Sequence, residues 1–422
     1  MRVLVISVIE LNEMNASGGT FANWLTGWDD TVISSLYCRQ AITHNDFCDS
    51  YYHLSSISIL KNIFTPWKIG QFTNAVSAQN GHSNIENSLL RKTKRGRLAW
   101  LYVLDDIIIN TRLWQNRKYK KYISEFNPDV VFCFASSVAF IYQNLKYVKQ
   151  HTNAKIVLFY ADDVYSQYQQ LGLKNWIFRK RFPKVIKLSD KNYGASVLMC
   201  NTYSKLFGIS MSPLYKGCLI NPPKDSCNSP IKLVYAGNLY YGREKSLANV
   251  ASALRNINNA KGRIAATLEI YTTALITDEI DAMLNIDGSS RIMGERPYSE
   301  IKEIQKNADV VLHVESFNPE NIKQTRLSYS TKISDCLQSG SMTIVIGPDG
   351  IASVEEAKMI DGVRVINDEN QIEASLKTII DNPTIIVDAA HKTHNSVAND
   401  KFQLDSVRMR LHNEFENLIK EK

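Results

Sequence analysis

The segment YSTKISDCLQSGSMTIVIGPDG, Tyr329 to Gly350, reads as a short helix that stops abruptly and turns straight into a buried strand. Ser330 or Thr331 can cap the helix, since a hydroxyl there accepts a bond from an otherwise unpaired backbone N–H. Ile333, Cys336 and Leu337 then share one face at i, i+3 and i+4. Gly340 suits the left-handed position that ends a helix, and Met342–Ile346 has the length and β-branching of a strand covered on both faces. Such a helix-to-strand unit belongs to a parallel sheet. Its opening end gathers two hydroxyls, free N–H groups and the Lys332 ammonium, a combination that can hold phosphate.

The same alternation extends in both directions. Strands are predicted at 3–9, 31–37, 130–134, 155–160 and 196–200, with helical segments between them, which means βαβ units. A turn-rich stretch, NPPKDSCNSP from Asn221 to Pro230, interrupts the pattern. It then resumes with strands at 232–236, 267–272, 291–293, 310–314, 342–346 and 363–366. The expectation is α/β with two Rossmann-like doubly wound domains, 1–215 and 216–400, facing a central cleft. A C-terminal helix, 401–422, would dock back through Val407, Leu411, Phe415 and Leu418. In open α/β sheets, ligands bind beyond the carboxyl ends of the strands.

Composition narrows the class. With 422 residues, 44% hydrophobic, the chain can fill more than one core. It has no apolar run of membrane-spanning length, and Met1–Ile9 is too short for a signal peptide, so a cytoplasmic protein is expected. Seven scattered cysteines without a C-x-x-C pair indicate packing thiols rather than disulfides or zinc. The net charge of +7 is uneven. Ten basic residues (91, 92, 94, 95, 97, 112, 117, 118, 120, 121) fall between Arg91 and Lys121, interleaved with Trp100, Tyr102, Trp114, Tyr119 and Tyr122. That mixture suits either an anionic membrane surface or a solvated helix face, and Asp105 and Asp106 are expected to face solvent within it. No nucleic-acid motif accompanies the charge.

Each half opens on a strand followed by glycine. In the first, Ser17-Gly18-Gly19-Thr20 is predicted as a loop before a helix at 21–25, allowing close backbone approach to a ligand. Neither a dinucleotide fingerprint nor a Walker A sequence is present. In the second, the run from Leu233 through Gly237, Asn238 and Arg243 to Lys245 reads strand, turn, basic pair, helix. Cations at a helix start are unfavourable unless an anion is bound, so Arg243 and Lys245 read as contacts to a diphosphate, the alternative being plain surface residues of the helix start.

These residues, with Met293-Gly294-Glu295-Arg296, Ala308-Asp309-Val310-Val311-Leu312 and Lys332-Ile-Ser-Asp335 through Gly340, resemble the GT-B glycosyltransferases, in particular glycosyltransferase family 4 of bacterial surface-polysaccharide assembly. The resemblance is best over 231–360. It implies a nucleoside diphosphate sugar as donor, a saccharide or lipid-linked acceptor, no metal or other cofactor, and retention of configuration. Lys245, helped by Arg243, would contact the diphosphate, Asn238 standing where the family has arginine. Gly237, Gly294, Glu295 and Arg296 would line the donor site. Ser330, Thr331 and Lys332 would meet phosphate, Asp335 the ribose hydroxyls, and Glu315 the donor sugar. Glu315 and Asp335 lie twenty apart where the family has eight, and the proline usual after the helix-ending glycine is missing.

In the first half, Asp162 or Asp163 would orient the acceptor hydroxyl, and Gly18 and Gly19 would lie near the donor phosphates. An alternative use of Asp162–Asp163 is a metal-binding pair, and His391 with His394 is more simply a surface pair than a metal site. Two competing functions share the architecture: a sugar-nucleotide epimerase and a non-catalytic partner subunit.

Overall fold

The computed structural model describes residues 1–11, 16–39, 45, 47–74, 99–169, 171–398 and 401–421. Its chain divides into two compact units, 1–195 with 200–214 and 408–422, and 196–199 with 215–407.

The first unit is built on β1 (Arg2–Ile9), α1 (Ala16–Leu25), β2 (Val32–Arg39), β3 (Ser50–His53), α2 (Ser56–Lys61), β4 (Gln71–Asn74), α3 (Ala99–Asn110), α4 (Arg117–Phe126), β5 (Val130–Phe134), α5 (Ala139–His151), β6 (Lys155–Tyr160), α6 (Val164–Gln167), α7 (Leu173–Ile186), β7 (Lys191–Gly194), α8 (Val197–Phe207) and β8 (Ser212–Pro213). The sheet runs β4-β3-β2-β1-β5-β6-β7-β8 and is parallel except for β3 against β4. In β1 the central residues Val3, Leu4, Val5 and Ile6 are fully buried, as expected when helices cover both faces. Phe415, in the part of the last helix that belongs to this unit, packs edge-on against Trp28 (5.6 Å) and Phe132 (5.3 Å). His412 bonds Asp30 there, at 2.9 Å.

The second unit comprises β9 (Ile231–Ala236), α9 (Arg243–Lys261), β10 (Ala266–Tyr271), α10 (Asp278–Leu284), β11 (Ser290–Gly294), α11 (Tyr298–Asn307), β12 (Val310–Val314), α12 (Pro319–Thr325), α13 (Lys332–Gln338), β13 (Met342–Ile346), α14 (Ala352–Lys358), β14 (Arg364–Ile366), α15 (Ile372–Asp381), α16 (Thr384–Ala398) and the opening turn of α17 (Leu404–Lys420), whose remainder, from Arg408, belongs to the first unit. Its sheet is wholly parallel in the order β11-β10-β9-β12-β13-β14. Numbered within the unit this is 3-2-1-4-5-6, so the order reverses between β9 and β12. The core is the row of Leu233, Ile270, Leu312 and Ile344 with Leu247, Val250 and Leu254 of α9 against it.

Several sequence expectations change. The segment 196–200, expected as a strand, instead opens helix α8 at Val197, and the neighbouring strand β7 spans Lys191–Gly194. Gly18 and Gly19 lie in the first turn of α1, which begins at Ala16, and not in a loop. The helix after Tyr329 begins at Lys332, and Thr331 makes no side-chain cap: its φ of −60° and ψ of −16° are already helical. Gly340 does close that helix, at φ +79°, with space for no side chain beside the Pro222 carbonyl. The four basic residues at the start of α4 are exposed, but Trp114, Tyr119 and Tyr122 are buried core residues, so these aromatics do not face a membrane. Arg91, Lys92, Lys94, Arg95 and Arg97 lie outside the described residues. Asp106 is buried against Arg181 and Asp105 pairs with Arg39 at 3.5 Å, so neither is the solvent-facing acid expected.

Candidate functional site

The carboxyl ends of β9 and β12 flank the strand-order reversal of the second unit. Beyond β9 the chain turns through Gly237 and Asn238, then enters α9 at Arg243 by way of Tyr241 and Gly242, both left-handed (φ 62° and 76°). A Cβ on Gly242 would meet Asn321 and Ser316, so the tight entry requires glycine.

Glu315 follows β12 directly and is 2% exposed. One oxygen pairs with Arg243 Nη2 and the other with His313 Nε2, each at 2.9 Å. Arg243 also donates Nη1 to Asn238 Oδ1 (3.0 Å) and Nε to the Val314 carbonyl (3.1 Å). Ser246 donates to the Glu315 carbonyl at 2.8 Å, tying α9 to the same strand end. Burial alone would raise the Glu315 carboxyl, but His313 and Arg243 together hold it below the usual range. Burial lowers His313, against the pull of Glu315, and Arg243 and Lys332 lower it further. The pair is therefore a carboxylate bonded to a neutral imidazole through Nε2–H. Glu315 compensates Arg243, and among the described residues at this strand end one cation remains.

That cation is Lys332, the first residue of α13. Its amine lies over the β9 turn: a Cβ on Gly237 would come within 2.9 Å of Nζ and 2.7 Å of the Tyr235 hydroxyl. Lys332 is partly buried and has no hydrogen-bond or ion-pair partner among the described residues. Burial, followed by the neighbouring Arg243 charge, depresses its ammonium to about 8. A desolvated, unpaired ammonium near Arg243, where the 19-residue helix α9 begins, attracts an anion.

A second group lies on the same short helix. Asp335 Oδ1 accepts from Lys216 Nζ (2.9 Å) and from the Tyr298 hydroxyl (2.8 Å). Burial would pull Lys216 down, but Asp335 and Tyr298 outweigh it and hold it up. Burial and then Asp335 raise the Tyr298 phenol to about 12. Two donors thus fix Asp335 Oδ1, and among the described residues Oδ2 has no hydrogen-bond partner.

The structure brings Gly237, Asn238, Arg243, Glu315 and Lys332 together, with Asp335 three residues on along α13. Lys245 is an exposed residue in the first turn of α9. Gly294 ends β11 at φ +75°, while Glu295 and Arg296 are exposed and Arg296 pairs with Glu300 at 3.2 Å. Ser330 is fastened through its N–H to Ser353 Oγ (3.2 Å), and Thr331 is exposed. In the first unit Asp163 is buried, caps α6 through Ser166 N (3.2 Å) and accepts from Tyr203 (2.7 Å), whereas Asp162 is exposed. His391 pairs with Asp225 and His394 with the Asn221 carbonyl, so the two do not share a ligand.

Sequence reasoning missed His313, Lys216 and Tyr298. His313 had a signal, since it sits two residues before Glu315 and so on the same side of a strand. Lys216 and Tyr298 reach Asp335 from 119 and 37 residues away, with no local pattern.

No family model matches the chain and no curated protein is similar to it in sequence. Solved structures are similar along its whole length. A sucrose-phosphate synthase from Thermosynechococcus elongatus superposes with a TM-score of 0.62 at 11% identity, covering 100% of both chains. A glycosyltransferase from Rickettsia africae gives 0.61 at 10%, covering 100% of this chain and 99% of that one. The HepE protein of Anabaena, solved with UDP and glucose, gives 0.59 at 10%, covering 99% and 100%. The architecture is GT-B. At these identities the likeness concerns fold, and the chemistry is argued from the residues.

Proposed function

We propose that this chain is a glycosyltransferase of the kind exemplified by family 4. It moves a hexosyl group from a nucleoside diphosphate sugar to a hydroxyl of a saccharide or lipid-linked acceptor, in polysaccharide or glycoconjugate assembly. The observation that carries the reading is the unpaired, desolvated Lys332 ammonium at the β9–β12 reversal. UDP in the Anabaena structure makes a nucleoside diphosphate the natural anion to test there.

In this reading Lys332, Lys245 and the N–H groups opening α9 take the diphosphate, with Ser330 and Thr331 beside it. Asp335, through its free oxygen, takes a ribose hydroxyl. Arg243 acts chiefly through its hold on Glu315 and Asn238, and Gly237, Gly294, Glu295 and Arg296 line the donor side. As the sugar C1–O bond to the diphosphate breaks, the departing phosphate oxygens gain charge, which the fixed cations stabilise. The acceptor oxygen bonds C1 on the same face and its proton passes to the leaving diphosphate, so configuration is retained without a protein nucleophile. Asp162 is proposed to orient the acceptor. The protein cations neutralise the leaving group, so the transfer proceeds without a divalent metal.

The test is a thermal-shift panel of nucleoside diphosphates and their sugar conjugates, each with Mg²⁺ and with EDTA. Ligand at a hundred times its Kd adds about 2.7 kcal/mol of stability. A shift with one nucleoside diphosphate that survives EDTA supports the proposal, and no shift with any of them refutes it. Lys245→Ala is expected to lower kcat/KM roughly a hundredfold, about 2.7 kcal/mol, with an unchanged melting temperature.

A further inference from the structure

On the first unit, three helices present apolar side chains to solvent where a soluble surface would carry polar ones. On α2 and its continuation, Ile57, Leu60, Ile63 and Phe64 are exposed, Phe64 at 92%. Leu104 and Ile107 are exposed on α3, at i and i+3, and α2 packs on α3. The third helix, α7, also packs on α3, and at its entry Leu171 (100%), Leu173 and Trp176 (60%) stand out. Trp67, in the 3-10 turn Pro66–Lys68, is 61% exposed, and Asn116 holds that turn by donating to the Pro66 carbonyl at 2.7 Å. Isolated exposed leucines need no explanation; a grouped set that includes two tryptophans and a phenylalanine does.

The two segments that carry most of this set are basic. From Leu54 to Asn74 the chain has two lysines and no acid, and from Val164 to Ser189 it has six basic residues and again no acid. Leu173, Trp176, Lys180, Lys184 and Lys187 fall on one exposed stripe of α7 and its exit, while Phe178, Phe182 and Val185 face the core. The acids of α3 are paired: Asp105 with Arg39, while also accepting from the Ser56 hydroxyl, and Asp106 with Arg181. Exposed tryptophan and phenylalanine tips bordered by lysines are the composition of a surface that lies in a headgroup layer, the rings at the acyl boundary and the ammonium groups among phosphates.

We propose that this face of the first unit, formed by the α2–Trp67 segment, the exposed side of α3 and the α7 stripe, docks the protein on an anionic lipid bilayer. None of the residues assigned to nucleotide takes part, so the two proposals stand or fall separately.

The experiment is flotation of the full chain with phosphatidylcholine vesicles, with and without about 30 mol% phosphatidylglycerol, at low salt. The wild type is expected to float with the anionic vesicles and its tryptophan emission to be quenched by brominated lipid. Phe64→Ser/Trp67→Ser/Leu171→Ser/Trp176→Ser and, separately, Lys180→Ala/Lys184→Ala/Lys187→Ala are each expected to lower partitioning about tenfold or more. Because all these side chains are exposed, unchanged melting temperatures distinguish lost docking from lost folding. Failure of the wild type to float, equal flotation with neutral vesicles, or undiminished flotation of the two docking-face variants would overturn the proposal. So would sedimentation as a dimer that the apolar variant dissociates, since the face would then belong to a second copy.

Discussion

Lys332→Met should make the protein more stable and worse at its task. The ammonium is depressed from 10.5 to about 8, a difference of 2.5, which at 1.36 kcal/mol per unit is about 3 kcal/mol held against folding near neutral pH. Methionine keeps most of the stem and removes the charge, so it should recover much of that amount. At about 2–4 °C per kcal/mol for a domain of this size, the melting temperature of the ligand-free protein should rise by several degrees. The pH dependence has a definite sign. Between about pH 8 and 10.5 the unfolded chain holds the Lys332 proton and the folded chain does not, so wild-type stability from this group rises with pH across that window. The variant should lack that rise. Nucleoside diphosphate binding should move the other way, weakening by roughly 10–150-fold as charge-assisted bonds of about 1.5–3 kcal/mol are lost. Urea titrations at pH 7 and 9.5, with and without the diphosphate, measure the stability, its pH dependence and the ligand-induced gain, and a thermal melt gives the temperature shift. A variant that is less stable than wild type without ligand, yet keeps its diphosphate-induced gain, would refute the reasoning.

Glu315→Gln should destabilise the second unit by about 3–5 kcal/mol in urea denaturation, because Arg243 is left buried without its carboxylate. Asp163→Asn should cost roughly 1–2 kcal/mol of stability through the α6 cap and Tyr203, whereas Asp162→Asn should leave the melting curve alone and lower transfer activity. Gly340→Ala should cost more than about 1 kcal/mol by thermal melting, since a Cβ would lie 2.3 Å from the Pro222 carbonyl oxygen and the backbone is left-handed.

The periodicity around Met342–Ile346 and its counterparts was enough to read two parallel doubly wound sheets, because strands buried on both faces carry long apolar runs. It was not enough for β3 and β4. These are four residues each, and the polar Gln71 and Asn74 of the edge strand give no alternation to read. Assigning a strand to 196–200 failed for a related reason: Val197, Leu198 and Met199 are apolar on either reading, and only the ending of β7 at Gly194 decides. At the site, Lys332, Arg243 and Glu315 were legible as residue types at the ends of elements. Their arrangement was not. Arg243 reads from sequence as a ligand for phosphate, yet three of its donors are taken by Glu315, Asn238 and Val314, a pairing across 72 residues that only the β9–β12 neighbourhood creates. The basic aromatic stretch misled because helix α4 sorts its residues by face, putting Tyr119 and Tyr122 inside and the lysines outside.

The return of the last helix to the first unit has a consequence in time. Phe415 closes over Trp28 and Phe132, yet it is separated from Leu214, where the rest of that unit ends, by the whole second unit. During synthesis at about 5–20 residues per second, the roughly 190 intervening residues take on the order of 10–40 s to emerge. For that interval the ribosome-bound chain displays an unfinished aromatic pocket. A chain released early, before Arg408, would carry that pocket open for its lifetime.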